Sequence, residues 1–352
     1  MPQAPETIFT SYPETSLLSI SNTSLQQMSS NVFTNALKLT NLLIQYGNLT
    51  TINNRTFSNC VKLQSLQIVR QQLTSIDVMA FQGLMELQNL YLNENQLTSL
   101  HPLVFSVLPK LTYFSIEDNL LTTIDSQQFV NNPKLYSFIC SGNQIKTLPN
   151  DLFQAQGSLA SFYAKKNQLV TVQSYGASYV DASLNKLRNF TVTSGERTIH
   201  IENNFIRKII CGSTNITVQR LYADNNLLTN FLCIRDMESL TDLSVLNNKM
   251  LKPTKKAFLK LTKLRNFSMY NMTRFSMIPA KVFTPLTSLS NLRVDRLAAY
   301  KNLNITLPNI SILALTTNNW NCTYLSFVNS LMKSQRVSLL FNIASERSRC
   351  QL

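Results

Sequence analysis

The sequence predicts an α/β solenoid of about fourteen coils, with one parallel β-sheet along its concave side. Three observations lead to this fold class. The chain has 352 residues, more than an ordinary single domain, which favours either several domains or one repeat array. Its hydrophobic content of 44% is ample for a core. One apolar pattern recurs along almost the whole chain, and this recurrence favours the array.

The recurring pattern is LxxLxLxxNxLxxL, followed by a phenylalanine five positions later. With the first leucine as position 1, one copy begins at Leu87 and the next two begin at Leu111 and Leu135. This is the signature of leucine-rich repeats. Copies begin at residues 15, 39, 63, 87, 111, 135, 159, 177, 196, 218, 240, 264, 289 and 310. We therefore assign residues 1–14 to an N-terminal capping segment, 15–318 to the repeats and 319–352 to a C-terminal cap.

Each coil is expected to begin with a short strand whose positions 4 and 6 point into the core. Because a single coil cannot bury its apolar side alone, the coils stack into a leucine-rich-repeat horseshoe with one shared core. The asparagine at position 9 is expected to satisfy backbone groups of its own and the neighbouring coil. Coils with another residue there should be less regular, namely those with Thr23, Gly47, Gln71, Met272 and Leu297.

The six cysteines sort by the repeat frame. Cys211 and Cys233 occupy position 16 of consecutive coils, so their Cα atoms should lie about 5 Å apart, within disulfide range. Such a bridge implies an oxidising compartment. Cys60 and Cys140 lie four coils apart and should be buried free thiols. A second disulfide between Cys322 and Cys350 is expected to close the C-terminal cap.

Glycosylation sequons also favour an extracellular location. Ten N-x-S/T sequons occur, at Asn22, Asn48, Asn54, Asn189, Asn215, Asn266, Asn271, Asn304, Asn309 and Asn321. The chain is rich in Asn, Ser and Thr, so several sequons are expected by chance. A glycan on Asn266, at position 3, would obstruct the concave face of the C-terminal third.

Positions 3, 5 and 7 of each strand should point out of the concave sheet and form the binding face. The residues predicted there are Tyr91, Asn93, Tyr113, Glu117, Tyr163, Lys165, Tyr179, Asp181, His200, Glu202, Arg220, Tyr222 and Asp224. Tyrosine and arginine are common interface anchors. The competing interpretation is that strands favour tyrosine in any case.

The net charge of +14 suggests an acidic partner. Seven basic residues and no acidic residue lie between Lys249 and Arg265, mostly on the return side and convex face. They form either a solvated charged face or a patch for a glycosaminoglycan, a microbial surface or an acidic partner.

The sequence also bears on catalysis, metal binding and nucleic-acid binding. Asp181 and His200 share position 5 in adjacent coils and Ser183 is close by, which resembles a catalytic triad on paper. An open sheet offers no deep pocket or oxyanion hole, so we expect no enzyme activity. No Cys/His cluster has metal-ligand spacing, and no cofactor is indicated. Nucleic acid fits the charge, but no groove-reading element is recognisable.

Three passages carry a resemblance to a known family: the shortened repeat "TVQSYGASYVDASLNKLRNF", the segment "IHIENNFIRKIICGSTNITVQRLYADNNLLTNFLC" and the closing "NNWNCTYLSFVNSLMKSQRV". Together they resemble the mosquito leucine-rich-repeat immune proteins of the complement-like pathway, across essentially the whole chain. The resemblance implies secretion into haemolymph. It also implies pairing through a C-terminal coiled coil and binding of a thioester-containing complement-like protein. No heptad pattern follows the cap in this sequence. The coiled-coil pairing and the complement binding therefore rest on the resemblance alone.

The sequence thus indicates a secreted recognition protein of insect innate immunity that binds a protein partner, either complement-like or another leucine-rich-repeat protein. The alternative is the ectodomain fragment of a leucine-rich-repeat receptor or adhesion protein. No apolar run in the chain reaches the roughly 18–20 residues that a membrane span needs.

Overall fold

The fold is described from a computed structural model. It describes residues 8–157, 159–249, 253–269, 278, 280–295, 309–316, 330 and 338–341. The chain divides into two compact units, Met1–Lys186 and Leu187–Leu352, which we call the N-terminal and C-terminal units. Each unit is a stack of short coils built around a parallel sheet.

The N-terminal unit opens with one helical turn, α1 (Ile8–Ser11), within the predicted capping segment. Its main sheet has eight parallel strands, and a second, two-stranded ladder lies on the return side. The main strands are β1 (Leu17–Ser21), β2 (Asn41–Gln45), β4 (Ser65–Val69), β6 (Asn89–Tyr91), β7 (Tyr113–Ser115), β8 (Ser137–Ile139), β9 (Ser161–Tyr163) and β10 (Tyr179–Asp181). The short ladder joins β3 (Thr51–Ile52) to β5 (Ser75–Ile76).

The C-terminal unit has seven parallel strands in its main sheet and again a two-stranded ladder. The main strands are β12 (Thr198–His200), β14 (Arg220–Tyr222), β15 (Asp242–Ser244), β16 (Asn266–Met269), β17 (Asn291–Asp295), β18 (Ile312–Thr316) and β19 (Ser338–Phe341). The ladder joins β11 (Asn189–Val192) to β13 (Lys208–Cys211). Return segments carry 3-10 helices at Ser30–Phe33 in the N-terminal unit and at Ile234–Asp236, Lys255–Ala257 and Ala280–Phe283 in the C-terminal unit.

Each of the fourteen predicted repeats contains one main strand that begins two residues after the predicted start, from Leu17 to Ile312. The leucine-rich-repeat solenoid is therefore confirmed. The strand β19, which pairs in parallel with β18, lies in the segment predicted as the C-terminal cap. Trp320, Cys322 and Cys350 lie outside the described residues, so the disulfide-closed cap stays a prediction.

The core of the N-terminal unit contains a continuous row of phenylalanine rings, which begins with Phe9 in α1 and continues at position 19 of six coils. The row is made of Phe9, Phe33, Phe57, Phe81, Phe105, Phe129 and Phe153, with neighbouring centroids 5.3–6.4 Å apart. A second row at position 4, through Phe114, Phe138 and Phe162, packs against it. Burial of these large rings stabilises the stack, because each fully buried side chain of this size contributes about 1.5–3 kcal/mol.

The position-9 asparagines form the expected hydrogen bonds. The side chain of Asn119, for example, accepts from the Leu97 N–H at 3.1 Å and donates to the Leu92 carbonyl at 2.9 Å, both in the preceding coil. It also donates to the Ile116 carbonyl of its own coil at 3.2 Å. One side chain thus satisfies buried groups of two coils at once, which helps to fix their separation.

The expectation that the first three coils are less regular is wrong. Strands β1, β2 and β4 pair residue for residue at a constant step of 24, and they are longer than the later main strands of the N-terminal unit. Gln71 replaces the missing asparagine, because its longer side chain accepts from the Leu49 N–H at 3.2 Å. Gly47 leaves the room for it, since a Cβ there would lie 2.6 Å from the Gln71 Oε1. Met272 and Leu297 lie outside the described residues.

Position 8, one or three residues after the end of the main strand, adopts left-handed backbone geometry in eleven described coils, which sequence patterns did not reveal. In the C-terminal unit it is Asn203, Asn225 and Asn247, with φ of 52–56°. In the N-terminal unit it is Asn22, Tyr46, Arg70, Glu94, Asp118, Gly142, Lys166 and Leu184. Asparagine and glycine tolerate this geometry well, whereas a leucine is strained by it.

The disulfide between Cys211 and Cys233 is present, with Cα atoms 5.5 Å apart, as the stacked positions predict. Cys60 and Cys140 are buried free thiols. Burial raises the pKa of the Cys60 thiol to about 12 and raises the pKa of the Cys140 thiol further. Both therefore stay protonated near neutral pH and fill core space as small apolar side chains.

Candidate interaction surface

The side chains at positions 3, 5 and 7 of the main strands point away from the core, and we call this surface the exposed sheet face. Positions 4 and 6 alternate with them and are buried, as in Leu90 and Leu92. The predicted binding residues all lie on this face in the described structure. They form separate groups in the two units, and each group is described within its own unit.

Four tyrosines of the N-terminal unit form two ring pairs. The centroids of Tyr91 and Tyr113 are 4.9 Å apart, and those of Tyr163 and Tyr179 are 5.0 Å apart. Each pair joins position 5 of one coil to position 3 of the next. All four rings are half-buried, so each keeps part of its surface exposed to solvent.

The tyrosine rings cover small residues of neighbouring strands. Ser115 and Ser137 are at outward positions, yet only 1% and 6% of their surfaces are exposed. Ser115 is the register partner of Tyr91, and Ser137 is the register partner of Tyr113. The serines thus leave room for the rings to lie against the sheet. Burial raises the pKa of Tyr113, as do Tyr91 and Glu117 beside it.

Lys165 and Asp181 lie beyond the second tyrosine pair. Lys165 is exposed, whereas Asp181 is half-buried and accepts hydrogen bonds from the Ser183 hydroxyl at 2.6 Å and the Ser183 N–H at 3.0 Å. In a catalytic triad the serine hydroxyl would donate to an imidazole. Here its donor goes to a carboxylate, so this contact gives the triad reading no support.

In the C-terminal unit, His200 and Tyr222 form an aromatic stack. They are register partners on β12 and β14, with centroids 4.5 Å apart and planes inclined by 18°. The His200 Nδ1 lies 2.9 Å from the Glu202 Oε1. Burial raises the pKa of Tyr222, and Asp242 and Glu202 raise it further, while Arg220 lowers it.

Asp224 is held by neighbours of the next strand. It accepts from the Ser244 hydroxyl at 2.7 Å and from the Leu246 N–H at 2.8 Å. Burial raises the pKa of Asp224, the two hydrogen bonds lower it, and Glu202 raises it further. Arg220 is exposed, and its Nε lies 3.9 Å from the Asp242 Oδ2.

Asp242 was missed among the predicted binding residues, although its position 3 on β15 follows from the repeat frame. Its carboxylate accepts from the Thr241 hydroxyl and the Asn266 amide, each at 2.6 Å. A second row missed from the sequence runs along position 8. There Arg70 pairs with the Glu94 carboxylate at 2.8 Å and lies over the Tyr46 ring. No sequence signal marked position 8 in the N-terminal unit.

The basic segment from Lys249 to Arg265 is partly neutralised by acidic side chains of a neighbouring return segment. Lys260 Nζ lies 3.2 Å from both the Asp236 Oδ1 and the Glu238 Oε1. Lys255, Lys256 and Lys263 are exposed. Two open cavities lie on this return side, one of about 670 Å³ beside Cys211 and Lys260 and one of about 280 Å³ between Phe231 and Lys256.

Six sequon asparagines are exposed where the structure describes them, namely Asn22, Asn48, Asn54, Asn189, Asn215 and Asn309. Asn266 is less exposed than these six, because it is half-buried. Its side chain connects Asp242 to Asn291 through hydrogen bonds along the sheet face. This engagement disfavours a glycan on Asn266. Asn271, Asn304 and Asn321 lie outside the described residues.

Among the described residues, no group of three or more His, Cys, Asp and Glu side chains is placed to hold a metal ion. Over the same residues, no helix combines the length and apolar character that crossing a membrane requires.

Comparison with known proteins places the fold. Residues 26–160 match six copies of the BspA type leucine rich repeat region. No curated protein matches the sequence. A chain of the mosquito LRIM1/APL1C complex is similar, with a TM-score of 0.75, 17% identity and coverage of 94% of this chain and 70% of that one.

Two further solved structures are similar at comparable identity. The mosquito APL1 leucine-rich repeat domain gives a TM-score of 0.67 at 20% identity, with 83% of each chain covered. The Drosophila Toll–Spatzle complex gives 0.73 at 16% identity, covering 97% of this chain and 57% of that one. At these identities the likeness is one of fold.

Proposed function

We propose that the protein is a secreted recognition protein of insect innate immunity, which binds a protein partner through its exposed sheet face. One observation carries the proposal: outward positions hold paired, half-buried aromatic rings, in Tyr91–Tyr113, Tyr163–Tyr179 and His200–Tyr222. Tyrosine is among the residues that contribute most to protein interfaces. Rings that are already held in place lose little conformational freedom on binding.

A general preference of strands for tyrosine explains this distribution less well. Such a preference would act in every coil. The coils that begin at residues 15, 39 and 63 nevertheless have no aromatic residue at positions 3, 5 and 7, where they carry Leu, Ser, Asn, Gln and Val. The aromatic rings are confined to later coils, which favours a local function for them.

Secretion and the immune role rest on three further observations. The Cys211–Cys233 disulfide fits an oxidising compartment, and six described sequons are exposed. The chain is similar in fold to a chain of the LRIM1/APL1C complex. By analogy, the partner of this chain is another leucine-rich-repeat protein or a complement-like thioester-containing protein.

A second candidate function is that of a receptor or adhesion ectodomain. The similarity to the Toll–Spatzle structure, which covers 97% of this chain, favours it. A transcript that encodes an apolar segment of about 20 residues downstream would support the receptor over the secreted protein.

The test begins with recovery of the partner from haemolymph, using the whole chain as bait. Binding is then measured for Tyr163→Ala with Tyr222→Ala, and for Lys255→Glu with Lys256→Glu and Lys263→Glu. We expect the tyrosine variant to bind at least about thirtyfold more weakly, because two interface anchors are lost. Loss of binding in the lysine variant alone, with strong salt dependence, would place the site on the basic return side instead.

A further inference from the structure

The charge of the chain is divided unevenly between its units. The C-terminal unit contains 22 basic and 8 acidic residues, a difference of +14 that equals the net charge of the whole chain. The N-terminal unit contains ten of each. On the exposed sheet face from β12 to β15 the balance is reversed, because Glu202, Asp224 and Asp242 face only one basic residue, Arg220.

Two of these carboxylates lie just beyond the ends of adjacent strands, β12 and β14. Glu202 and Asp224 both occupy position 7, and the residues two positions before them, His200 and Tyr222, are register partners. Like charges placed side by side across strands destabilise a sheet. Arg220 forms its described ion pair with Asp242, and no described contact joins it to Glu202 or Asp224. It therefore leaves the repulsion between these two carboxylates without a direct ion pair.

The Glu202 carboxylate is also incompletely satisfied. Its Oε1 meets the His200 Nδ1, whereas its Oε2 is buried and has no hydrogen-bond donor among the described residues. Burial of a carboxylate oxygen without a donor is unfavourable. The Glu202 side chain as a whole is still 20% exposed, so a cation supplied by a partner can approach it and offset the repulsion from Asp224.

The His200–Tyr222 stack adds an aromatic surface beside the two carboxylates. Arginine can donate from its planar guanidinium to carboxylates while its flat face lies against an aromatic ring. A lysine ammonium can form the ion pairs but lacks the planar stacking surface. The surroundings therefore fit arginine better than lysine.

We propose that this C-terminal sheet patch, formed by His200, Glu202, Arg220, Tyr222, Asp224 and Asp242, docks a basic segment of a partner protein. An arginine of that segment donates to Glu202 and Asp224 and stacks on Tyr222. The proposal rests on the proposed function and names the chemistry of its partner. It reverses the expectation of an acidic partner, which followed from net charge without the distribution of that charge. The rest of the unit repels a basic segment, so attraction is confined to the patch.

The test uses the whole chain and three fluorescent nonapeptides, of arginine, lysine and glutamate, with binding followed by fluorescence anisotropy. The variant Glu202→Gln with Asp224→Asn is compared with Asp236→Asn and Glu238→Gln, which makes the same charge change on the return side. We expect the arginine peptide to bind the patch variant about tenfold more weakly, and to bind the control variant within about twofold of the wild type. Circular dichroism checks that both variants are folded.

A third variant, Tyr222→Leu, separates stacking from charge. It should weaken the arginine peptide more than the lysine peptide, because only arginine loses a stacking partner. The proposal is overturned if the wild type does not bind the arginine peptide, if both acid variants lose equal affinity, or if only the glutamate peptide binds. Should the recovered partner depend on Tyr163 and Tyr222 but not on Glu202 and Asp224, the proposed function stands and this inference falls.

Discussion

The two units differ in the length of their coils and in how the return side of each coil is packed. In the N-terminal unit, main strands from β1 to β9 follow one another at a step of 24 residues, and a row of phenylalanines fills the return side. In the C-terminal unit the steps from β12 to β19 are 22, 22, 24, 25, 21 and 26. There the first coils have a parallel ladder and a disulfide on the return side.

Coil length explains the difference. A 24-residue coil has room for a turn that carries a ring at position 19, so the rings stack from coil to coil. The coils that begin at residues 177 and 196 are shorter and have no phenylalanine at that position. Their return segments run extended as β11 and β13, and the Cys211–Cys233 bridge lies at the end of this ladder. A phenylalanine row resumes at Phe231, Phe258 and Phe283.

The largest expected effect is loss of a ring from the N-terminal row. Phe105 is fully buried and lies 4.5 Å from Phe114 by ring centroids. Phe105→Ala should lower the free energy of unfolding by about 3–5 kcal/mol, because a cavity remains. Urea denaturation followed by circular dichroism measures the loss. Phe205→Ala is the control, since Phe205 is 55% exposed. A loss below about 1 kcal/mol for Phe105→Ala would contradict the claim that the phenylalanine row stabilises the N-terminal unit.

The next effect belongs to the C-terminal unit. Cys211→Ser with Cys233→Ser should cost about 3 kcal/mol, because the bridge closes a loop with a sequence separation of 22 residues. Hydrogen exchange measured by mass spectrometry should show the loss of protection in β11 and β13. If amides of the N-terminal unit lost protection to the same degree, the bridge would not be a local staple.

A smaller effect, opposite in sign, tests position 8. Leu184 has a φ of 55° and is exposed, whereas the C-terminal unit carries asparagine at that position in three coils. Leu184→Asn should raise the free energy of unfolding by up to about 1 kcal/mol, because asparagine adopts left-handed geometry more readily. Thermal unfolding measures the gain, and Leu232→Asn, at another exposed leucine, should bring none.

The smallest effect concerns pH. Burial raises the pKa of Asp224 above its usual value, so the folded chain holds this proton more tightly than the unfolded chain. The resulting stabilisation is fully present below about pH 3.9, the unfolded value, and is lost as pH rises through the folded pKa. As pH rises from about 3.9 through the folded pKa of Asp224, the free energy of unfolding of the wild type should therefore fall relative to that of Asp224→Asn. Denaturant titrations in which the two curves stay parallel would contradict the assignment.

Much of the fold was predictable because each repeat carries its own signal. Every main strand up to β18 follows from the period, and so does the disulfide, since both depend only on which positions stack. The short ladder of β11 and β13 did not follow, because it arises where the repeat shortens and its pattern fades. The adjustment of Gln71 into the space above Gly47 depends on side-chain length, which a period does not encode.

The candidate site was predictable as a set of outward positions but not as a set of contacts. The repeat frame places Tyr222 and Asp224 on the sheet face. It does not reveal that Ser183 donates to Asp181, or that the acidic partners of Lys260, Asp236 and Glu238, come from a neighbouring return segment. Those contacts depend on rotamers and on charges brought together from different coils. Net charge likewise says nothing about the face on which the charges lie, so the acidic residues of the C-terminal sheet patch could not be anticipated from it.

The most direct test of the central claim is hydroxyl-radical footprinting of the chain with and without its recovered partner. The account predicts that binding reduces oxidation of tyrosines on the exposed sheet face, among them Tyr163, Tyr179 and Tyr222. Tyr12 and Met85, which are 68% and 55% exposed outside the outward strand positions, should be oxidised as in the free protein. Unchanged oxidation of the sheet-face tyrosines, with protection of Met85 instead, would contradict the account.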